Sequence, residues 1–438
     1  MSGLKKYDIR NSVPFNFNYT TESQKIRATA DKLLNVINAK TGKKDDVYLE
    51  LMVKFLLNIY MGYMNAKMTR INLRPKYYSN IPKRYRHETE SYAAVKKIVN
   101  SLESHGYLNV SKGFKIFSNK TGRLTALEPT NKLINEIKTI QRKDFIVEPP
   151  KETIILRDDK KGPKDYIDSA DTKKWRAELK KYNDFIKKQD LTLSGLTKSD
   201  IEENSEYFRN YDLVDTTNLQ NLSSSSFSNI QLHYFYMCRV FNKDFKHGGR
   251  FYGGAETLPS AIRRFIKING SSTVELDFAS YQIRMLYHKS KVDYTQDAYS
   301  ALVTPGSIYT REIYKLVALI ILNAEDREAA IKGLRKKFIA LGLLPSAETT
   351  NVKIEALIDN LITHHTRIIK YFFKGKGLKL QFIDSQITNE ILQHFTSKKI
   401  PVLSVHDSFI IESNYKDDLK KIMIKKYKDK FKYKPQIT

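Results

Sequence analysis

Two short apolar runs in this chain each deliver an aspartate to a point where the backbone must turn. The first is Thr273-Val274-Glu275-Leu276, closed by Asp277. The second is Val402-Leu403-Ser404-Val405, followed by His406-Asp407-Ser408 and a further run, Phe409-Ile410-Ile411-Glu412. β-Branched and apolar residues in runs of this length favour strands. The first run therefore predicts a strand over 273–276 feeding a helix over 280–288, with Ile283, Leu286 and Tyr287 inward. The second predicts a hairpin with Asp407 at its tip. Taken singly, each aspartate has an ordinary explanation, as a helix cap or a turn residue.

Brought together by a fold, the two carboxylates acquire a different meaning. Magnesium takes oxygen ligands and usually binds through one or two carboxylates plus substrate phosphates. Two ions in one site can clamp both oxygens of a phosphoryl displacement. Between the two runs, Arg311, Lys315, Leu319 and Asn323 recur at steps of four within Tyr309–Asn323, so they form one stripe along a helix. Two cations followed by an apolar and a small polar residue suit a nucleotide, with its triphosphate on the cations. A solvated cation pair on an amphipathic helix has the same pattern.

The 438 residues carry a formal net charge of +27, a field that attracts polyanions. Length predicts two to three domains, and 41% hydrophobic content a globular chain. Cys238 is the only cysteine, which excludes internal disulfides and cysteine-based zinc sites. The start, Met1-Ser2-Gly3-Leu4-Lys5-Lys6, lacks the apolar stretch of a signal peptide. No segment reads as a bilayer span. A soluble, cytoplasmic protein with no membrane partner is expected.

Three divisions are expected. Residues 1–145 read as helices over 22–39, 47–64 and 92–103, the last burying Ala93, Val95, Ile98, Val99 and Leu102. Strands follow over 107–110, 114–117 and 124–127, with a basic tip at Lys120 and Arg123. This order resembles a winged helix, used either for DNA contact or for packing. Residues 146–245 read as a basic linker containing a helix over 175–188, a candidate reduced thumb, and a loop at Leu222–Ser228. Residues 246–438 carry the chemistry, with a helical region at about 307–370.

The string Asp277-Phe278-Ala279-Ser280-Tyr281-Gln282-Ile283-Arg284-Met285-Leu286-Tyr287-His288 aligns without a gap to the D-Y-S-Q-I-E-L-R-V-L-A-H pattern of family A DNA polymerases. The Arg311/Lys315 helix resembles their motif B, and Val405-His406-Asp407 their motif C. Gly248-Gly249-Arg250 resembles their T-G-R element. Two features instead resemble bacteriophage-type single-subunit RNA polymerases. These are His406-Asp407-Ser408, against H-D-E in the DNA enzymes, and Phe382-Ile383-Asp384-Ser385-Gln386, against F-x-H-S-Q. Gln282 stands where the DNA enzymes have Glu and the RNA enzymes Gly. The motif B aromatics are replaced by Leu319 and Asn323.

The resemblance implies an α+β right-hand polymerase, with an antiparallel palm sheet and helical fingers behind an N-terminal winged helix. Asp277, Asp407 and the carbonyl of Phe278 would hold two Mg2+ ions, with Mn2+ as a substitute. Lys315 and Arg311 would act on the phosphoryl group. Gln282, Leu319, Asn323 and Phe278 would line the nucleotide. His406 would position the primer terminus, Arg250 and Gln386 would touch the minor groove near the new pair, and Lys120 and Arg123 would meet DNA. The implied partners are a DNA primer–template or single-stranded template and dNTPs, with NTPs as the alternative. No exonuclease domain is legible, so proofreading is not expected. The rival readings are a primase or RNA polymerase on the same scaffold, and a winged-helix DNA-binding regulator with a relic palm.

Overall fold

The structure, a computed structural model, describes residues 8–39, 42, 45–116, 121–141, 144–210, 230–232 and 235–438. Lys120 and the loop at Leu222–Ser228 lie outside the described residues. The chain divides into two compact units. One comprises residues 1–153, 163–165 and 191–234, and the other 154–162, 166–190 and 235–438. The segment 146–245 is thus shared between them. Among the described residues no helix is long and apolar enough to cross a membrane.

The first unit is built on strand β1 (Asp8–Pro14), helices α1 (Gln24–Val36) and α2 (Asp45–Met64), strand β2 (Lys67–Ile71), helix α3 (Tyr92–Ser104), and strands β3 (Leu108–Ser111) and β4 (Thr125–Pro129). The strands form one sheet in the order β1-β2-β4-β3. Helix α2 is buried on every side from Leu51 to Gly62, Lys54 and Asn58 included. A helix apolar all round belongs inside a core, and here Lys54 is satisfied by the carbonyl of Tyr19 at 3.1 Å. Helix α3 buries Ala94, Val95, Ile98, Val99 and Leu102, so the inward alanine is Ala94 and Ala93 faces out. Gly106, at φ +72, closes α3 by letting the Tyr107 amide donate to the Leu102 carbonyl at 2.8 Å. Beyond β3 a separate short hairpin pairs Phe114–Ile116 with Thr121–Arg123. Strand β3 itself pairs with β4.

The second unit contains two sheets. Strand β5 (Ile154–Arg157) runs parallel to β6 (Met237–Asn242), which forms a hairpin with β7 (Asp244–Gly253). Helix α4 (Ala170–Ile186) lies in sequence between β5 and β6; its Tyr182 hydroxyl donates to the Val402 carbonyl at 2.9 Å. The other sheet is antiparallel, with β8 (Ile266–Ile268), β9 (Ser271–Asp277), and the hairpin β10 (Val402–Val405) and β11 (Ser408–Glu412) in the order β8-β9-β11-β10. Helix α5 (Tyr281–Lys289) follows β9. Helices α6 (Arg311–Asn323), α7 (Arg327–Leu341) and α8 (Asn351–His364) pack on one another over the stretch expected to be helical. The long helix α9 (Gly377–Ser397) packs against β7 and β10, and α10 (Lys416–Phe431) buries a single stripe of Leu419, Met423, Tyr427 and Phe431.

Candidate active site

The site begins with the register between β9 and β11. Asp277 pairs with Ser408, Leu276 with Phe409 and Glu275 with Ile410. The β10–β11 turn has two residues, His406 and Asp407, because Ser408 already pairs with Val405. His406 takes φ +56, the left-handed geometry that tight hairpin turns need. This register puts Asp407 beside the end of β9, where its carbonyl lies 3.5 Å from the Phe278 amide. The β9 end is fixed from the other side by residues 436–438. The Asp277 amide donates to the Thr438 carbonyl at 2.9 Å, the Thr438 amide donates back at 3.0 Å, and Ala279 donates to Gln436 at 3.0 Å.

Asp277 is not a helix cap. Ser280, at φ +51, is the residue that opens α5. The Asp277 Oδ1 is buried and has no hydrogen-bond partner among the described residues. Burial first, and then the neighbouring Asp407 charge, push its carboxyl up to about 7, while Lys315 pulls the other way and Glu275 adds to the rise. Asp277, Asp407 and Lys315 are therefore in electrostatic contact. A paired, half-buried carboxylate with an orphaned oxygen suits an oxygen-ligated divalent cation. Among the described residues no three His, Cys, Asp or Glu side chains gather as a metal site.

Helix α6 carries the expected stripe. Ile313, Tyr314, Val317, Ala318, Ile321 and Leu322 are buried, whereas Lys315, Leu319 and Asn323 face out and Arg311 is half-buried. Arg311 is engaged by Asp297, with Nε at 3.2 Å from Oδ1 and Nη2 at 2.6 Å from Oδ2, and lies over the Tyr299 ring. Burial works to raise the Asp297 carboxyl. Hydrogen bonds from Arg311, Tyr299 and Ser300 outweigh it and hold the group well below the usual range. Asn323 donates to the Leu319 carbonyl at 2.7 Å and lies against Gly377, where its Oδ1 leaves no room for a Cβ. Gln282 sits half-buried in the first turn of α5.

Arg250 on β7 donates through Nε and Nη2 to Asp384 Oδ2, at 2.7 and 2.6 Å. His406 packs edge-on against Tyr252, with ring centroids 5.5 Å apart, and lies 3.8 Å from Glu256. Burial, and then the Arg250 charge, lower the His406 pKa. The His406 Nδ1, Gln386 Nε2 and Tyr281 hydroxyl are all buried without partners among the described residues. Phe278 is buried and stacks on Tyr281 at 4.6 Å. In the first unit, Arg123 folds over Phe114, its guanidinium 5.5 Å from the ring.

Four acidic residues were not singled out from sequence. Glu275 lies two residues before Asp277, hence on the same strand face. It receives the Ser408 hydroxyl at 2.5 Å and Arg263 at 3.0 and 3.1 Å. Strand alternation was the available signal for it. Asp384 lies inside the Phe382-Ile383-Asp384-Ser385-Gln386 segment, but its partner Arg250 is 134 residues away. Asp297 and Glu256 carried no local signal.

No protein-family model matches the chain, and no curated protein matches it. Among solved structures, the POL domain of Pol1 from M. smegmatis, in complex with DNA primer-template and dNTP, is similar at 11% identity and a TM-score of 0.28. The likeness covers 55% of this chain and 54% of that chain.

Proposed function

We propose that this chain is a template-directed nucleotidyltransferase, a compact DNA polymerase that extends a primer without proofreading. The observation that carries this reading is the β9–β11 register, which sets Asp277 and Asp407 side by side with a buried, unpartnered Oδ1 and with Lys315 in electrostatic reach.

Asp277, Asp407 and the Phe278 carbonyl would hold two magnesium ions. Bound there, the metal would acidify the attacking 3′-hydroxyl and neutralise charge on the triphosphate. Lys315 stabilises charge on the transferring phosphoryl group, and Arg311 joins it once Asp297 gives way to phosphate oxygens. The outward stripe of Leu319 and Asn323 meets base and sugar, with Gln282 against the ribose. His406, Arg250 and Gln386 face the primer end, and the helix–strand–hairpin order of the first unit serves as a winged helix on DNA.

Extension of a labelled primer with Mg2+ tests this, and Asp277→Ala and Asp407→Ala should each abolish it. Substantial extension by either variant would sink the reading. Ser408, bonded to Glu275 rather than replaced by a motif C glutamate, favours a second reading as an RNA polymerase or primase. A primer-free template supplied with NTPs separates the two.

A further inference from the structure

Asp384 has no role in the reading above, yet it is the most deeply buried carboxylate of the region, 1% exposed. Its Oδ2 takes both the Nε and the Nη2 of Arg250. The third nitrogen, Nη1, makes no hydrogen bond or ion pair among the described residues. Burial opposes the Arg250 charge, but Asp384 and then Asp407 more than offset this and raise its pKa. Asp384 Oδ1 lies 3.5 Å from the Thr388 hydroxyl, which is 3.3 Å from the His406 carbonyl in the turn that carries Asp407.

A second linkage runs beside the first. Arg239, fully buried, donates from Nε to the Gly249 carbonyl at 3.0 Å and from Nη2 to the Ser385 hydroxyl at 3.2 Å. Ser385 in turn lies 3.3 Å from the Gly248 carbonyl. The neighbours of both members of the Arg250–Asp384 pair are therefore tied to each other. Gly249, at φ +78, leaves no room for a side chain, because a Cβ would fall 2.7 Å from the Phe241 ring. Strand β7 and helix α9 thus form a stiff platform under Arg250.

A buried ion pair is seldom more stable than apolar side chains of the same volume; the best-attested return on its desolvation is geometric specification. The F-x-H-S-Q pattern has an imidazole where this chain has Asp384, so the carboxylate and its arginine form a pairing that the pattern lacks. We propose that Asp384 is a positioning residue, which holds the Arg250 guanidinium at the rim of the Asp277–Asp407 site and leaves Nη1 to donate to an acceptor at the primer end. This rests on the polymerase reading. The fork is locked in one orientation, so the donor is in place before the nucleotide arrives.

The test is single-turnover extension of matched and mismatched primer ends by the full chain with Mg2+. Asp384→Asn should lower the rate on matched ends by about ten- to a hundredfold, the scale of an ångström's misplacement. The nucleotide KM and the primer–template Kd should stay close to wild type, and the preference for matched over mismatched ends should narrow. Adding Asp384→Asn to Arg250→Ala should cost nothing further, because one acts through the other. Asp384→Asn leaves a buried arginine unpaired and can compromise folding. The pair R250M/D384L therefore removes both charges at similar volume, with a thermal melt to confirm folding, and should match Arg250→Ala in rate. Wild-type rates from R250M/D384L, or additive losses from the two single variants, would overturn the positioning role. A wild type that extends no primer, or an active Asp277→Ala variant, would overturn the polymerase reading with it.

Discussion

At the scale of single residues, the two aspartates are alike in sequence, each at the end of a strand-forming run. Asp277 has a carboxyl raised to about 7 by burial and by Asp407. Its unfolded value is 3.8, so the folded state holds an extra proton between those limits. Stability from this group is fully present on the acid side and is lost as pH rises through the folded value. Asp277→Asn should consequently raise the melting temperature of chelator-treated protein at pH 8 and leave it nearly unchanged at pH 4, while activity falls by at least on the order of 10²–10³-fold. A melting temperature that drops at pH 8 would show that the carboxylate is not strained in the ion-free site. Gln282→Gly should shift the ratio of ATP to dATP incorporation upward, and Gln282→Glu downward. A ratio unmoved by both would remove Gln282 from the sugar contact. The aspartates were legible because each ends a run of strand-forming residues. Asp297 and Asp384 were not, because what gives them meaning is a partner: Arg311 is 14 residues from Asp297, and Arg250 is 134 from Asp384.

At the scale of elements, periodicity did most of what it can do. Helix α6 and its outward stripe, helix α5 and the β10–β11 hairpin all follow from spacing. Ser408 fell on the wrong side of the boundary because a turn of two residues and one of three look alike until pairing is known. The pairing of residues 436–438 with the end of β9 carried no pattern, being three residues matched to a strand end far away. Deleting residues 435–438 removes the two Asp277–Thr438 backbone bonds and the Ala279–Gln436 bond. It should lower the extension rate more than it lowers the melting temperature, and equal melting with equal rate would show that the β9 end holds its place alone. The base of the helical α6–α8 region has its own acid sensitivity. His365 is fully buried, 2.9 Å from the Ala298 carbonyl and 3.0 Å from the Tyr287 hydroxyl, and burial lowers its pKa from 6.5 to about 4. Its contribution is present above pH 6.5 and is lost as pH falls through 4. His365→Gln should flatten the decline of melting temperature between pH 6.5 and 4.

At the scale of the whole molecule, charge and connectivity decide the outcome of cutting or salting the protein. The excess of 75 Lys and Arg over 48 Asp and Glu predicts binding to DNA that weakens steeply with salt, with a log–log slope of about −0.9 per duplex phosphate contacted. A flat salt response would remove polyanion binding. The first unit draws residues 191–234 from beyond the start of the second. Truncation at residue 145 therefore cuts through a folded unit and should yield poorly soluble protein. Internal deletions that respect all three segments of that unit are the better means of asking what it binds.

The platform beneath Arg250 also lends itself to spectroscopy. The chain has one tryptophan and one cysteine. Trp175 stacks on Phe241 at 4.9 Å with the Arg239 guanidinium at the same distance from its ring, and the buried Cys238 is the neighbour of Arg239 on β6. Indole emission and thiol labelling thus report on the same few ångströms without any engineered probe. Reaction of Cys238 with a thiol reagent times the opening of β6, and the Trp175 signal times the loss of its stack. If the two clocks agree, the second unit opens as one cooperative body; if the thiol reacts first, β6 peels away while α4 stays in place.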